Sequence, residues 1–288
     1  MTSQILTGIN RHFTLSEIFE SEEYVICDSS AEKSMIDEIS SAKTFSDLPD
    51  YLLSTQLKYS ERFIDLLGNR NLLTTQGVSR ELRDSRDIIG RNLHYLSLMS
   101  KHLNGNRKKH MHNGENKKEM LADIQELHHL AYELSKKKAF SPRNRQIYKF
   151  LERIVMAVTE VTDAKIDYGN LYFLQKQKSI KRDFHTDEQL VTSAIYLSCT
   201  ECKHGGILTR DSDIKRILRN TVFYLDHSSS ADYREIVNMV TKNPVKVYRA
   251  EGMNDARLNG DSSWPGSLEI SRIVSQQRIS LIDKMLSY

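Results

Sequence analysis

The sequence predicts an α/β fold, a parallel sheet covered by helices on both faces. Three observations predict it. Tyr24-Val25-Ile26-Cys27 is a short apolar run that stops at Asp28-Ser29-Ser30, as a strand buried on both sides does. Gly205-Gly206-Ile207-Leu208-Thr209 follows the same pattern and stops at Asp211. From Asp183 onward, short apolar runs alternate with segments of helical period, the signature of strands joined by crossover helices.

The elements follow in order. Ser30 to Ile39 reads as a helix, with Met35, Ile36 and Ile39 at helical spacing. Leu52 to Leu67 is a second, closed by Gly68-Asn69. Asn71 to Thr75 forms a short strand, and Gly77 to Ile89 turns helical with Val78 and Leu82 on one face. Helices over 88–103 and 119–137 flank Asn104 to Lys118, which has no apolar period and reads as a loop. Arg145 to Thr162 carries Ile147, Phe150, Leu151, Ile154 and Val158 along one stripe. Thr186 to Leu197 is the next helix, followed by the 205–209 strand and a short helix from Asp213 to Leu218. Val222 to Leu225 reads as a strand, Ala231 to Val240 as a helix and Val245 to Tyr248 as a strand. Gly252 to Gly266 is a loop before an amphipathic helix bearing Ile270, Ile273, Val274, Leu281, Ile282 and Leu286. The α/β domain is therefore split into 1–85 and 183–250, with a helical insertion at 86–182 and a C-terminal linker and helix at 251–288.

Composition sets bounds. The chain has 288 residues with 39% hydrophobic and 27% charged, enough for a real core and too apolar for wholesale disorder. A net charge of +3 does not by itself demand a polyanionic partner. Three cysteines, Cys27, Cys199 and Cys202, cannot build a disulfide framework. No run approaches the roughly 20 apolar residues of a membrane span. The expectation is a soluble cytoplasmic protein, with the nucleus also open.

Ligands of a parallel sheet sit at the carboxyl ends of its strands. Asp28 and Asp211, with Asp213, occupy such ends, and Glu81, Asp187 and Glu188 open the neighbouring helices. Carboxylates that converge repel unless a cation neutralises them, and all-oxygen sites select Mg²⁺ or Mn²⁺. Such ions activate water for phosphodiester cleavage. Each acid also has a plainer reading. Thr186-Asp187-Glu188-Gln189 is a capping-box sequence, Asp211 is a candidate N-cap, and Glu81 fits a solvated helix face. Asp28 is harder to dismiss, because an Asp that ends a strand of four mostly apolar residues is unusual outside a site.

Four pieces together resemble the PIN-domain nucleases, which are related to flap endonucleases. They are Val25-Ile26-Cys27-Asp28-Ser29-Ser30, Leu73 to Leu82 around Glu81, Thr186-Asp187-Glu188-Gln189-Leu190-Val191 with Ala194, and Ile207-Leu208-Thr209-Arg210-Asp211-Ser212-Asp213-Ile214. They span about residues 22–85 and 183–250. The resemblance implies a three-layer α/β/α domain on a twisted parallel sheet. It implies a divalent metal held by Asp28, Glu81, Asp187 and Asp211, with Asp213 as an extra acid and Glu188 as the alternative to Asp187. It gives Ser29 and Thr209 hydrogen bonds to metal-bound water or phosphate. The implied chemistry is metal-dependent hydrolysis of RNA; some members cut DNA, and some have lost their acids and act as scaffolds. The insertion stretches the interval from Glu81 to Asp187, so Glu152 or Asp163 is an alternative to Glu81.

Positive charge supplies candidate substrate contacts. Lys101 to Lys118 holds six Lys and Arg against one acid, including Arg107, Lys108 and Lys109, and Lys181 and Arg182 precede the third acid. The same loop also reads as merely solvated. Tyr168, Tyr172 and Phe173 fit base stacking or core packing. Cys199-Thr200-Glu201-Cys202-Lys203-His204 offers only three local ligands, short of a structural zinc site. The expectation is a Mg²⁺- or Mn²⁺-dependent endoribonuclease. A catalytically silent RNA- or protein-binding scaffold and a structure-specific DNA nuclease are the alternatives. Self-association or a protein partner would use the insertion or the C-terminal helix.

Overall fold

The computed structural model describes residues 12–31, 68–84, 139–163, 185–228, 230–251, 255–261 and 276–287, with 87, 90–91, 94, 122, 125, 129, 132–133 and 136–137. The strands are β1 (His12–Thr14), β2 (Tyr24–Cys27), β3 (Leu72–Leu73), β4 (Gly205–Thr209), β5 (Val245–Glu251) and β6 (Asp255–Asp261). The helices are α1 (Leu15–Ser21), α2 (helical residues 76–84), α3 (Arg145–Asp163), α4 (Thr186–Thr200), α5 (Asp213–His227), α6 (Ala231–Lys242) and α7 (Gln276–Leu286).

All six strands form one sheet in the order β1-β6-β5-β4-β2-β3. The fold is α/β, but the sheet is mixed rather than wholly parallel. β3, β2, β4 and β5 run parallel, while β6 is antiparallel to β5 and to β1. The chain adds β3 on one side of β2 and β4 on the other, so the strand order reverses between β2 and β4. In open α/β sheets that reversal opens a crevice at the carboxyl ends of the two strands. Asp28 follows β2 directly, and Asp211 lies two residues beyond β4.

The apolar runs make buried strands, as expected: every residue of β2 and β4 is buried. Gly205 has to be glycine, since a Cβ there would meet the Tyr24 ring and carbonyl at 2.5 Å. The space lets Tyr24 lie under the sheet and donate its hydroxyl to the carbonyl of Ala194, at 3.0 Å. Burial drives the Tyr24 pKa upward, so this donor stays protonated. α4 is buried nearly all round, from Leu190 to Ser198, and packs against α3, α5, α6, β4 and β5. α3, grouped by sequence with the insertion, sends Leu151 and Val155 into the main core. A second core joins α3, α5 and α7 through Ile154, Val158, Leu225, Ile279 and Ile282. There Tyr224 donates to Asp283 Oδ1 at 2.6 Å and ties α7 down.

Several sequence expectations need correction. Val222 to Leu225 is not a strand but part of α5, which runs unbroken to His227. Ile214, Ile217, Leu218, Thr221, Val222 and Leu225 are buried at helical spacing, and no Gly or Pro interrupts them. The loop over 252–266 contains β6, whose sequence DARLNGD has too few apolar residues to announce a strand. β1 and α1 carry no strong sequence signal. α1 begins with a capping box of Thr14 and Glu17. On α3, Leu151, Ile154 and Val158 are buried, whereas Ile147 and Phe150 are exposed. Of the expected Ser30–Ile39 helix, Ser30 and Ala31 are helical and 32–39 lie outside the described residues, as do the 52–67 helix, the 104–118 loop, and Ile270, Ile273 and Val274.

At the amino ends of the strands, Glu22 is buried and receives Lys246 Nζ at 2.7 Å and the Tyr248 hydroxyl. Its second oxygen, Oε2, is buried without a hydrogen-bond partner. Removing one member of a buried ion pair strands the other charge. Lys246→Met is therefore expected to destabilise the protein by about 2–3 kcal/mol in urea unfolding, with part recovered by adding Glu22→Gln. A loss within experimental error would show that the pair carries no such load.

Candidate metal centre at the strand switch point

The site is built around one hydroxyl. Thr209, the last residue of β4, donates from Oγ1 to Asp28 Oδ2 at 2.7 Å and accepts from the backbone N–H of Asp211 at 2.9 Å. The end of β2 and the end of β4 are thereby joined. Ser30 donates to the same Asp28 oxygen and accepts from the N–H of Arg210 at 3.0 Å. The Ser30 and Thr209 hydroxyls stand 3.1 Å apart, with both protons directed at Asp28. Asp28 is only 3% exposed.

Glu81 is held in a similar way. Ser29 donates to its Oε2, and Thr186 donates to its Oε1 at 2.6 Å. The Glu81 carboxylate therefore ties α2 to the end of β2 and to the start of α4, and it is not a solvated helix residue. The approach is close: a Cβ on Gly77 would come within 2.8 Å of Thr186 Oγ1. The N–H of Gly77 donates to Gln189 Oε1 at 3.1 Å.

This arrangement overturns the capping-box reading of 186–189. The N-cap of α4 is His185, in the left-handed region at φ 48°, and its side chain caps nothing. Thr186 and Gln189, the two residues a capping box would use, bond Glu81 and Gly77 instead. Asp211 does bond the start of α5, accepting from the N–H of Asp213 at 2.8 Å, although Ser212 holds the N-cap position.

A cleft of about 250 Å³ receives the acids, lined by Glu81, Asp187, Glu188 and Asp213 with Thr186 and Arg216. These acids act on one another through their charge. Burial, reinforced by the charges of Asp28, Asp211, Glu188 and Glu81, pushes the Asp187 carboxyl up to about 7. Burial also raises Asp28, and the Glu81 charge adds to this, while the hydroxyls of Ser30 and Thr209 pull it back. His185 Nδ1 lies 3.8 Å from Glu188, and Asp213 is paired with Arg216 at 3.2 Å.

Asp28, Glu81, Asp187, Asp211 and Glu188 thus share one electrostatic environment, drawn from β2, α2, α4 and the β4–α5 turn. The donor set fits a hard cation in kind, since carboxylate and hydroxyl oxygens dominate it. Among the described residues, no three His, Cys, Asp or Glu side chains form a ready-made cluster for one ion. Ser29 and Thr209, expected at metal water or phosphate, bond Glu81 and Asp28. Glu152 lines a different cavity. Asp163 ends α3. Lys181, Arg182, Arg107, Lys108, Lys109, Tyr168, Tyr172 and Phe173 lie outside the described residues. Ser30 and Thr186 are the positioning residues that sequence reasoning missed. The Asp-Ser-Ser run after β2 was the available signal for Ser30; nothing local could reveal the partner of Thr186.

Comparison with protein-family models, curated proteins and solved structures gave no match to this chain. Among the described residues, no helix is long and apolar enough to cross a membrane.

The raised Asp187 carboxyl has a signed consequence. Between the ordinary value of 3.8 and about 7, the folded chain holds a proton that the unfolded chain has released. Its contribution is complete below the unfolded value and falls away as pH rises through that window. In chelator, Asp187→Asn is expected to raise the melting temperature at about pH 8 and to leave it nearly unchanged at about pH 4. Equal melting temperatures at the higher pH would contradict the electrostatic grouping.

Proposed function

We propose that the protein is a metal-dependent nuclease of the PIN type, an endoribonuclease that hydrolyses phosphodiester bonds. The observation that carries this reading is the mutual electrostatic influence of acids from four segments where the strand order reverses, with Glu81, Asp187, Glu188 and Asp213 lining one polar cleft. An uncompensated group of half-buried carboxylates costs stability, and a bound cation offsets that cost. Asp28, Asp211, Asp187 and Glu81 would hold Mg²⁺ or Mn²⁺, with Asp213 and Glu188 at the margin. When bound, the ion supplies an activated water and neutralises charge at the scissile phosphate.

The chain's own residues set the stage for that chemistry. Thr209 and Ser30 fix the Asp28 carboxylate by donating to one of its oxygens. Ser29 and Thr186 fix Glu81 through both of its oxygens. Asp211 is turned back over its own helix start by the N–H of Asp213. Arg216, paired with Asp213, brings a cation to the cleft beside its four acids.

The absence of a ready-made three-ligand cluster among the described residues favours one second reading, a binding module on the same scaffold. Matched RNA and DNA oligonucleotides incubated with Mn²⁺, Mg²⁺ or chelator decide between them. Metal-dependent cutting of RNA is expected from the wild type. Asp28→Asn/Asp211→Asn should lower it at least about 100-fold, on the scale of losing a principal electrostatic group. Binding without cutting under every metal condition would replace the nuclease by the binding module, and preferential cutting of DNA would reassign the substrate.

A further inference from the structure

A second cavity, of about 350 Å³, borders the metal centre and takes no part in it. It shares α2 and α4 with the acidic cleft. Glu81 and Asp187 line the cleft, whereas Gln76, beside Gly77, and Gln189, two residues beyond Asp187, line the second cavity. The Gly77–Gln189 hydrogen bond holds this shared wall together.

The far wall is aromatic. The N–H of Phe140 donates to the carbonyl of Thr74 at 2.7 Å, bringing the 139–140 segment beside β3. Phe140, Tyr148 and Tyr196 then form a ring trio with centroids 5.7–6.1 Å apart. Phe140 and Tyr148 line the cavity and remain half-exposed, while Tyr196 is buried behind them. The Tyr148 hydroxyl lies 3.1 Å from Ser193 Oγ. Arg145 and Lys149, on the first turns of α3, are exposed at the rim, and neither is paired with a carboxylate among the described residues. Glu152, one turn further along, contributes an acceptor.

An aromatic wall, two amides, one carboxylate and two rim cations is a composite of distinct chemistries. Aromatic rings take the face of a nucleobase, amides and carboxylates take its polar edge, and Arg or Lys takes the adjoining phosphate. A simple phosphate site would not need the rings, and an apolar pocket would not carry the amides and cations. The volume falls at the lower end of the roughly 300–1,000 Å³ of small-molecule sites.

We propose that this cavity is a subsite for one unpaired nucleotide of a single-stranded polynucleotide, whose backbone continues along the α2–α4 wall into the acidic cleft. The proposal rests on the nuclease reading and extends it, assigning the selection of single strands to Phe140, Tyr148, Arg145 and Lys149. A base inside a duplex could not present its face to Tyr148 without unstacking.

The test is fluorescence anisotropy in chelator, where cutting does not interfere. Labelled single-stranded RNA and DNA octanucleotides are used, with a duplex of the same sequence as control. The wild type should bind the single strands more tightly than the duplex. Tyr148→Ala should weaken binding about tenfold, and Tyr148→Phe should not, since it keeps the ring. Arg145→Glu/Lys149→Glu, on an exposed turn, should weaken it similarly and become less sensitive to salt. An oligonucleotide carrying one abasic position should lose affinity at a single register for the wild type, and Tyr148→Ala should show no further loss there. Circular dichroism of each variant separates lost binding from lost folding. Wild-type cutting with unaltered binding in both the Tyr148→Ala and charge-reversal variants would overturn the subsite and leave the nuclease reading standing. A wild type that neither binds nor cuts any oligonucleotide would overturn both.

Discussion

The hydroxyl of Thr209 is the interaction on which the rest of the site depends. It sits where the strand order reverses, fully buried, giving its proton to Asp28 and accepting the N–H of Asp211. It ties the Asp28 carboxylate to the backbone of Asp211, and Ser30 makes a parallel link from Asp28 to the backbone of Arg210. The second brace, Glu81 between Ser29 and Thr186, extends that alignment to α2 and α4. Asp28 and Glu81 are thus positioned by hydroxyls donating to their carboxylates. That chemistry orients an acid without neutralising it and leaves the charge for a cation to offset.

The scaffold explains why these contacts are held in place. β2 and β4 are buried throughout, and α4 is enclosed by the sheet, α3, α5 and α6. Side chains on such elements are fixed by packing, so a group at their ends has little freedom to wander. Glycines at 205 and 77 allow close approach, one beneath the Tyr24 ring and one against Thr186. Both are places where a larger residue would push apart the elements that the site brings together.

Much of this was legible in the sequence because burial on both faces leaves a continuous apolar run. β2 and β4 are legible that way, whereas α3, α4 and α6 show as apolar residues at helical spacing. A four-residue window misled at Val222 to Leu225, where apolar residues on successive turns of α5 fall side by side in the chain. β6 was missed because its strand character comes from pairing with β5 and β1 rather than from composition. The acids were legible as a set. Their supports were not, because Thr186 and Gln189 satisfy the local rule for a capping box and are claimed instead by residues more than 100 positions earlier. A local pattern cannot show which of two partners a side chain takes.

In the proposed function these carboxylates act together toward one divalent cation. Calorimetric titration of Mn²⁺ into metal-free protein at about pH 6, in buffers of different ionisation enthalpy, tests it without reference to any substrate. Saturable binding is predicted, with release of a proton from Asp187 and loss of binding in Asp28→Asn. The absence of saturable binding in the wild type, or binding undiminished by Asp28→Asn, would contradict it.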